Sequence, residues 1–188
     1  MNELLTRRRA LRVGAAMLST LLTASAVPSA ALAVSSAPSL RRRTDDPDWL
    51  DGTVEVRASP SAVLDALRNL GRWPAVFRDV ASVADVRQTG KRRTAEVVSR
   101  VLGDHAHGLT LDDRGAAFDV YISITGADAR GTFTVTPGAD AGSSRVTFSL
   151  LVRSRGFVGI FVSEASLRAK QEAMVRTYLT DLTRLTAP

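Results

Sequence analysis

His105 and His107 are the side chains whose type and spacing most suggest chemistry. They are the only histidines in the chain, and a single residue separates them. If the strand alternates regularly, both share a face with Leu109 and Leu111 and point inward. Such an imidazole could hydrogen-bond to a ligand carbonyl or hydroxyl, or act as a general acid or base. The alternative is a partly solvated pair at the start of a strand, with no role.

Other site chemistries find little support. The chain has no cysteine, which excludes a disulfide framework, a thiolate metal site and a cysteine nucleophile. A catalytic zinc would need a third ligand beside the two histidines, and nothing fixes Asp104 or Asp112 in that position. No serine nucleophile elbow, glycine-rich phosphate loop or paired-carboxylate motif occurs. We therefore assign no catalytic residue, no metal and no cofactor.

The first 33 residues have the order of a cleavable export signal. A basic cluster at Arg7–Arg12 precedes a mildly apolar run, Val13–Ala26, and small residues end at Ala33. Serines, threonines and a proline interrupt the run, so it is too polar and too short for a stable membrane span. We expect cleavage near Ala33 and a periplasmic or extracellular mature protein without a stable membrane span.

The export route is less clear from the sequence. Thr6–Arg12 (TRRRALR) resembles a twin-arginine signal, with Ala10 where phenylalanine is usual and Arg12 where lysine is usual. The twin-arginine and general secretory routes both remain open, with a slight preference for the former.

Charge and composition describe the rest of the chain. The net charge is +6, and four arginines against Glu3 give residues 1–33 half of it. A net charge of +3 on the remaining residues does not indicate nucleic-acid binding, which requires a concentrated basic face.

Residues 34–50 are rich in serine, proline and charge without periodicity, so we predict a flexible linker there.

Regular patterns begin at about residue 51. Thr53–Arg57 alternates as a half-buried strand. Ser59 and Pro60 then mark a helix start, Gly71 its stop, and Arg72–Asp79 a second short helix. Turn signals divide residues 80–153 into six strands of an antiparallel sheet. Residues 160–185 contain no glycine or proline, and apolar residues recur there every three or four positions, which predicts one long helix.

This order of elements resembles the START-like helix-grip superfamily, which includes plant pathogenesis-related allergens, polyketide cyclase/dehydrases and lipid-transfer domains. The resemblance covers residues 51–186 and rests on Val54–Leu70, Gly71–Val80, Gly131–Thr147 and the terminal helix. It implies an α+β fold with a curved antiparallel sheet of about seven strands wrapped around the long C-terminal helix. Two short helices would follow the first strand.

The resemblance also implies a cavity between sheet and helix. The side chains expected to line it are Trp73, Phe77, Val97, Ser99, His105, His107, Leu109, Phe118, Val120, Ile122, Phe133, Phe148, Leu150, Phe161, Met174 and Tyr178. By pattern alone these side chains could equally fill an ordinary core.

We therefore expect an exported carrier for a hydrophobic small molecule, lipid-like or polyketide-like, that is more a binding protein than an enzyme. The alternative is a cyclase/dehydrase-type enzyme that acts on a polyketide-like substrate in the same cavity. An interaction module that uses Arg155–Gly159 ranks last. Ligand identity and oligomeric state stay open.

Overall fold

A computed structural model describes residues 37–124, 126–154 and 163–185. The predicted signal peptide, Phe161 and the Arg155–Gly159 junction lie outside these residues. The described part contains one sheet with helices packed on it, and apart from an additional first strand the elements follow the predicted order.

The described strands form a single antiparallel sheet. They are β1 (Ser39–Arg42), β2 (Trp49–Val56), β3 (Val80–Thr89), β4 (Arg92–Ser99), β5 (Gly103–Asp113), β6 (Ala117–Ile124), β7 (Ala127–Pro137) and β8 (Ser144–Ser154). Their order across the sheet is β1-β2-β8-β7-β6-β5-β4-β3. The helix-grip prediction is confirmed, with eight strands in place of about seven.

Two short helices separate β2 from β3. Helix α1 is Pro60–Arg68, and the Oγ of Ser59 accepts a hydrogen bond from the backbone N–H of Ala62 at 3.3 Å, as the capping pattern predicts. The helix ends at Arg68, earlier than the expected stop at Gly71. A 3-10 turn and a one-turn helix, α2 (Trp73–Val76), replace the longer second helix.

Helix α3 (Glu164–Leu182) follows β8 and is capped by the Oγ of Ser163. It packs on β2 and β8. Contact is close at Gly52, where a Cβ atom would overlap the side chains of Val175 and Leu179. The absence of a side chain at this position of β2 therefore lets the helix lie against the sheet.

The additional strand, β1, corrects the prediction of a flexible linker over residues 34–50. Ser39 pairs with Thr53 and Arg42 with Leu50 along the edge of β2. Arg42 also reaches α3, where its Nη1 donates to the Oε1 of Gln171 at 3.0 Å and its Nη2 lies 3.1 Å from the Oε1 of Glu172. Backbone pairing and ion pairs hold the segment in place, so it is ordered although its sequence has no apolar periodicity.

Candidate functional site

The concave face of the sheet brings most of the predicted lining residues together. On strands β4, β5 and β6 the buried members are Val97, Ser99, His107, Leu109, Phe118, Val120 and Ile122. Phe133, Phe148 and Leu150 continue the buried face on β7 and β8, and Trp73, Phe77, Met174 and Tyr178 are buried on the helical side.

Aromatic rings fill the part of this face nearest α3. Phe133 and Phe148 stack with ring centroids 3.9 Å apart. Phe77 lies 4.8 Å from Tyr178 and 5.3 Å from Trp73, in tilted and edge-on arrangements. These five side chains therefore form one packed cluster at the junction of α2, α3 and the sheet.

The two histidines lie on one face of β5 but differ in burial. Their ring centroids are 4.5 Å apart. His107 is 2% exposed, whereas His105 is exposed. The expectation that both point inward is therefore correct for His107 only. His105 lies near the strand's first residue, Gly103, where fewer neighbours can cover it.

His107 faces Val97 across the strand pair and shares its side of β5 with Leu109. Its Nε2 is buried and has no hydrogen-bond partner. Burial lowers the pKa of the imidazole, and His105 lowers it further, against the opposing effect of hydrogen bonding to the backbone of Ser123 and Gly103. The ring is therefore neutral at pH 7, which leaves its unpaired nitrogen available to a ligand.

Ser99 and Tyr178, also predicted to bind a ligand, are engaged by a buried carboxylate. The Oδ2 of Asp79 accepts hydrogen bonds from the Oγ of Ser99 at 2.7 Å and the hydroxyl of Tyr178 at 3.3 Å. Its Oδ1 accepts from the backbone N–H of Val101 at 2.8 Å. Burial raises the pKa of Tyr178 far above its usual value, and Asp79 adds to the effect. This network joins the residue before β3 to the end of β4 and to α3.

A second carboxylate ties the C-terminal half of α3 to the segment before β3. Asp181 is buried, and its two oxygens accept hydrogen bonds from the backbone N–H of Arg78 at 2.8 Å and from its Nε at 2.7 Å. Arg184 approaches the same carboxylate at 3.5 Å. The contact fixes the helix beside the aromatic cluster.

Sequence analysis did not identify Asp79, Gln171 or Asp181 as buried polar residues. Gln171 donates to the backbone carbonyls of Asp48 and Leu150 at 2.7 and 2.6 Å. Their spacing along the helix could have indicated that they are buried. Gln171 precedes Val175 by four residues and Asp181 follows Tyr178 by three, so both lie on the apolar side of α3.

Several surface depressions are lined wholly by described residues, and none includes a predicted lining residue. One of about 330 Å³ lies between Arg68, Gly71, Val86 and Arg93. Another of about 580 Å³ lies on the outer side of β2 and β8, beside Glu55 and Arg145. Both have mixed polar and apolar linings and contain none of the side chains predicted to line the cavity.

The sequence profile of one family, described as polyketide cyclase/dehydrase and lipid transport, matches residues 50–187. The chain belongs to this family. The match begins at the second residue of β2, so β1 lies outside it. No curated protein matches the sequence.

Solved structures agree with the family on the fold. A START superfamily protein from Mycobacterium smegmatis superposes with a TM-score of 0.59 at 10% identity, covering 72% of this chain and 94% of that one. The Zhui aromatase/cyclase from a Streptomyces species gives a TM-score of 0.57 at 16% identity, covering 72% and 90%. At these identities the likeness shows the START-like fold alone.

Two further observations concern the described residues. None of their helices has the length and hydrophobicity to cross a bilayer. They also contain no group of three histidine, aspartate or glutamate side chains placed to hold a metal ion.

Proposed function

We propose that this member of the polyketide cyclase/dehydrase and lipid transport family is an exported carrier. It binds one hydrophobic small molecule between the concave face of the sheet and α3. The family description supports a hydrophobic ligand, and the signal-like residues 1–33 support export.

The observation that carries the proposal is the set of apolar side chains on the part of the concave face that α3 does not contact. The helix packs on β2 and β8, whereas strands β4, β5 and β6 contribute a continuous set of buried apolar side chains. The set is Ala95, Val97, Leu109, Leu111, Val120 and Ile122. His107 adds one unpaired polar atom beside them. An apolar surface with very few convergent polar groups is typical of small-molecule sites.

A cyclase/dehydrase-type enzyme is the second candidate, and the neutral imidazole of His107 favours it because it could accept a proton. The polar groups nearby offer little help to such a reaction, since Asp79, Ser99 and Tyr178 bond to one another. Full turnover of a genuine substrate by a His107→Ala variant would remove His107 from any catalytic role.

Native mass spectrometry of the exported protein, followed by organic extraction, tests the carrier function. We expect an extra mass that leaves as a hydrophobic small molecule. A clean apo mass, together with no binding of fatty acids, sterols or polyketides, would contradict the proposal.

Two substitutions on one strand locate the ligand. Val97 faces the concave side of β4, and its neighbour Glu96 is exposed on the other side. We expect Val97→Trp to lower the bound fraction at least tenfold, because the indole occupies ligand space. Glu96→Trp should leave the fraction unchanged. Equal ligand content in the two variants would place the ligand elsewhere.

A further inference from the structure

We infer that the bound molecule is uncharged and carries a hydroxyl or N–H group, which donates a hydrogen bond to the Nε2 of His107. The inference rests on the proposed function, because it names the class of ligand held by the same apolar face. It concerns one atom of one side chain, so it can fail while the carrier function stands.

The first support is the unpaired nitrogen itself. His107 is only 2% exposed, and its Nε2 has no hydrogen-bond partner. A buried polar atom without a partner is costly and uncommon in native proteins. Val97 and Leu109 beside it have no polar group to offer, and the nearby ring of His105 makes no hydrogen bond to this nitrogen. A ligand that supplies the missing partner removes this cost.

The second support is the direction of the hydrogen bond. The ring interacts with the backbone at Gly103 and Ser123 in a way that favours the protonated imidazole, which means that a ring N–H donates to a carbonyl there. Nε2 has no partner, so Nδ1 makes this bond and carries the proton. Nε2 is then an acceptor, and its partner must be a donor.

The third support is charge. The charged side chains buried around His107 and the aromatic cluster are the acidic Asp79 and Asp181. The cation on this face of β4 is Arg93, which pairs with Leu111, four residues along β5 from His107, and lies 3.7 Å from Asp113. A ligand carboxylate placed at His107 would therefore lose its hydration without meeting a cation, which is strongly unfavourable, and the neutral imidazole supplies no positive charge there. Fatty-acid anions are therefore poor partners for this end of the face.

The position of His107 also sets the orientation of the ligand. Its neighbour His105 is exposed, so this end of β5 is where the apolar face meets water. Leu109 and Leu111 lead away from it along the same strand and are fully covered. The donor group of the ligand lies at the exposed end, and its apolar body displaces side chains that cover the leucines.

Calorimetric titration of the full chain with three matched probes tests the inference. The probes are 2-naphthol, an uncharged donor; 2-methoxynaphthalene, which has no donor; and 2-naphthoate, an anion. We expect 2-naphthol to bind about tenfold more tightly than the ether, which is the size of one hydrogen bond to an otherwise unpaired group. The naphthoate should bind most weakly.

Three variants assign the preference to the imidazole. In His107→Met the naphthol and the ether should bind equally, because the acceptor nitrogen is lost. His107→Gln retains an acceptor oxygen and should keep part of the preference. His105→Ala should keep all of it, since that ring is exposed.

The outcomes separate the two proposals. Equal binding of naphthol and ether by the wild type, or an unchanged preference in His107→Met, would overturn this inference and leave the carrier function intact. Tightest binding of the naphthoate would also overturn it. If none of the probes binds, this inference is overturned, whereas the carrier function is decided by the mass and the extract of the exported protein.

Discussion

At the scale of single residues, the buried polar side chains beside the concave face divide into paired and unpaired groups. Asp79, Asp181 and Gln171 each make two or more hydrogen bonds that join separate elements. The Nε2 of His107 has no partner, and neither do Glu55 Oε2 and Arg93 Nη1, although those two side chains are partly exposed and form ion pairs with Arg145 and Asp113. Paired groups of this kind fix the fold, whereas an unpaired group points to a partner that binds from outside the chain.

His107 gives the protein a predictable sensitivity to acid. Its native-state pKa lies below the usual value of 6.5, so the unfolded chain binds a proton that the native protein does not. Stability should therefore fall as the pH drops below about 6.5. The carboxylates with lowered pKa values, Asp51, Asp112 and Asp113, respond near pH 4 and below, outside this window.

Urea unfolding at pH 7 and pH 5 measures this effect. The decrease in midpoint should be larger for the wild type than for His107→Met, which cannot titrate. His105→Ala should keep most of the wild-type decrease, because burial is the larger cause of the lowered pKa of His107 and His105 the smaller one. An identical decrease in wild type and His107→Met would show that His107 is not buried in the neutral form.

The sequence predicted most of the side chains that are buried on the concave face. It did not predict which of them form hydrogen bonds with residues distant in the chain. Alternation correctly placed Val97, Leu109 and Ile122 on one buried face. It could not show that Ser99 and Tyr178 would meet Asp79, because these contacts join residues far apart in the chain. Alternation also did not predict that His105 is exposed and His107 buried, because burial decreases toward the first residues of β5.

At the scale of elements, β1 shows why a polar segment can be ordered. Burial opposes the ionisation of Asp51, but hydrogen bonds from Arg43 and Ser149 outweigh it and lower the pKa of the carboxyl. Arg43 also lies over the ring of Trp49, 4.6 Å from its centroid. Composition alone predicted a linker because these stabilising contacts leave no periodic pattern.

The packing of α3 on β2 can be tested at a single glycine. Gly52→Ala would place a methyl group against Val175 and Leu179, and overpacking of this kind costs about 1–3 kcal/mol. Gly108→Ala on β5 is a matched control, because a Cβ there meets no atom within 4 Å. Urea unfolding should show the loss for the first variant only. Equal stability of the two would contradict the close approach of the helix.

At the scale of the whole molecule, the family domain begins at residue 50 and the predicted cleavage site lies at Ala33. The ordered strand β1 begins at Ser39, so only five residues, Val34 to Pro38, separate it from the predicted site. A carrier that folds before export could take up its ligand in the cytoplasm and leave with it. The proposed twin-arginine route permits this order of events.

Conservative changes in the arginine cluster distinguish the two routes. In the match to the twin-arginine pattern, Arg7 and Arg8 are the paired arginines and Arg9 occupies the variable position. Replacement of Arg7 and Arg8 by lysine keeps the positive charge that the general secretory route needs but removes the pair. We expect this double variant to accumulate as uncleaved precursor inside the cell, whereas Arg9→Lys is exported normally. Mass spectrometry of cell and medium fractions measures both. Normal export of the double variant would assign the protein to the general secretory route, in which the chain crosses unfolded and must acquire its ligand outside.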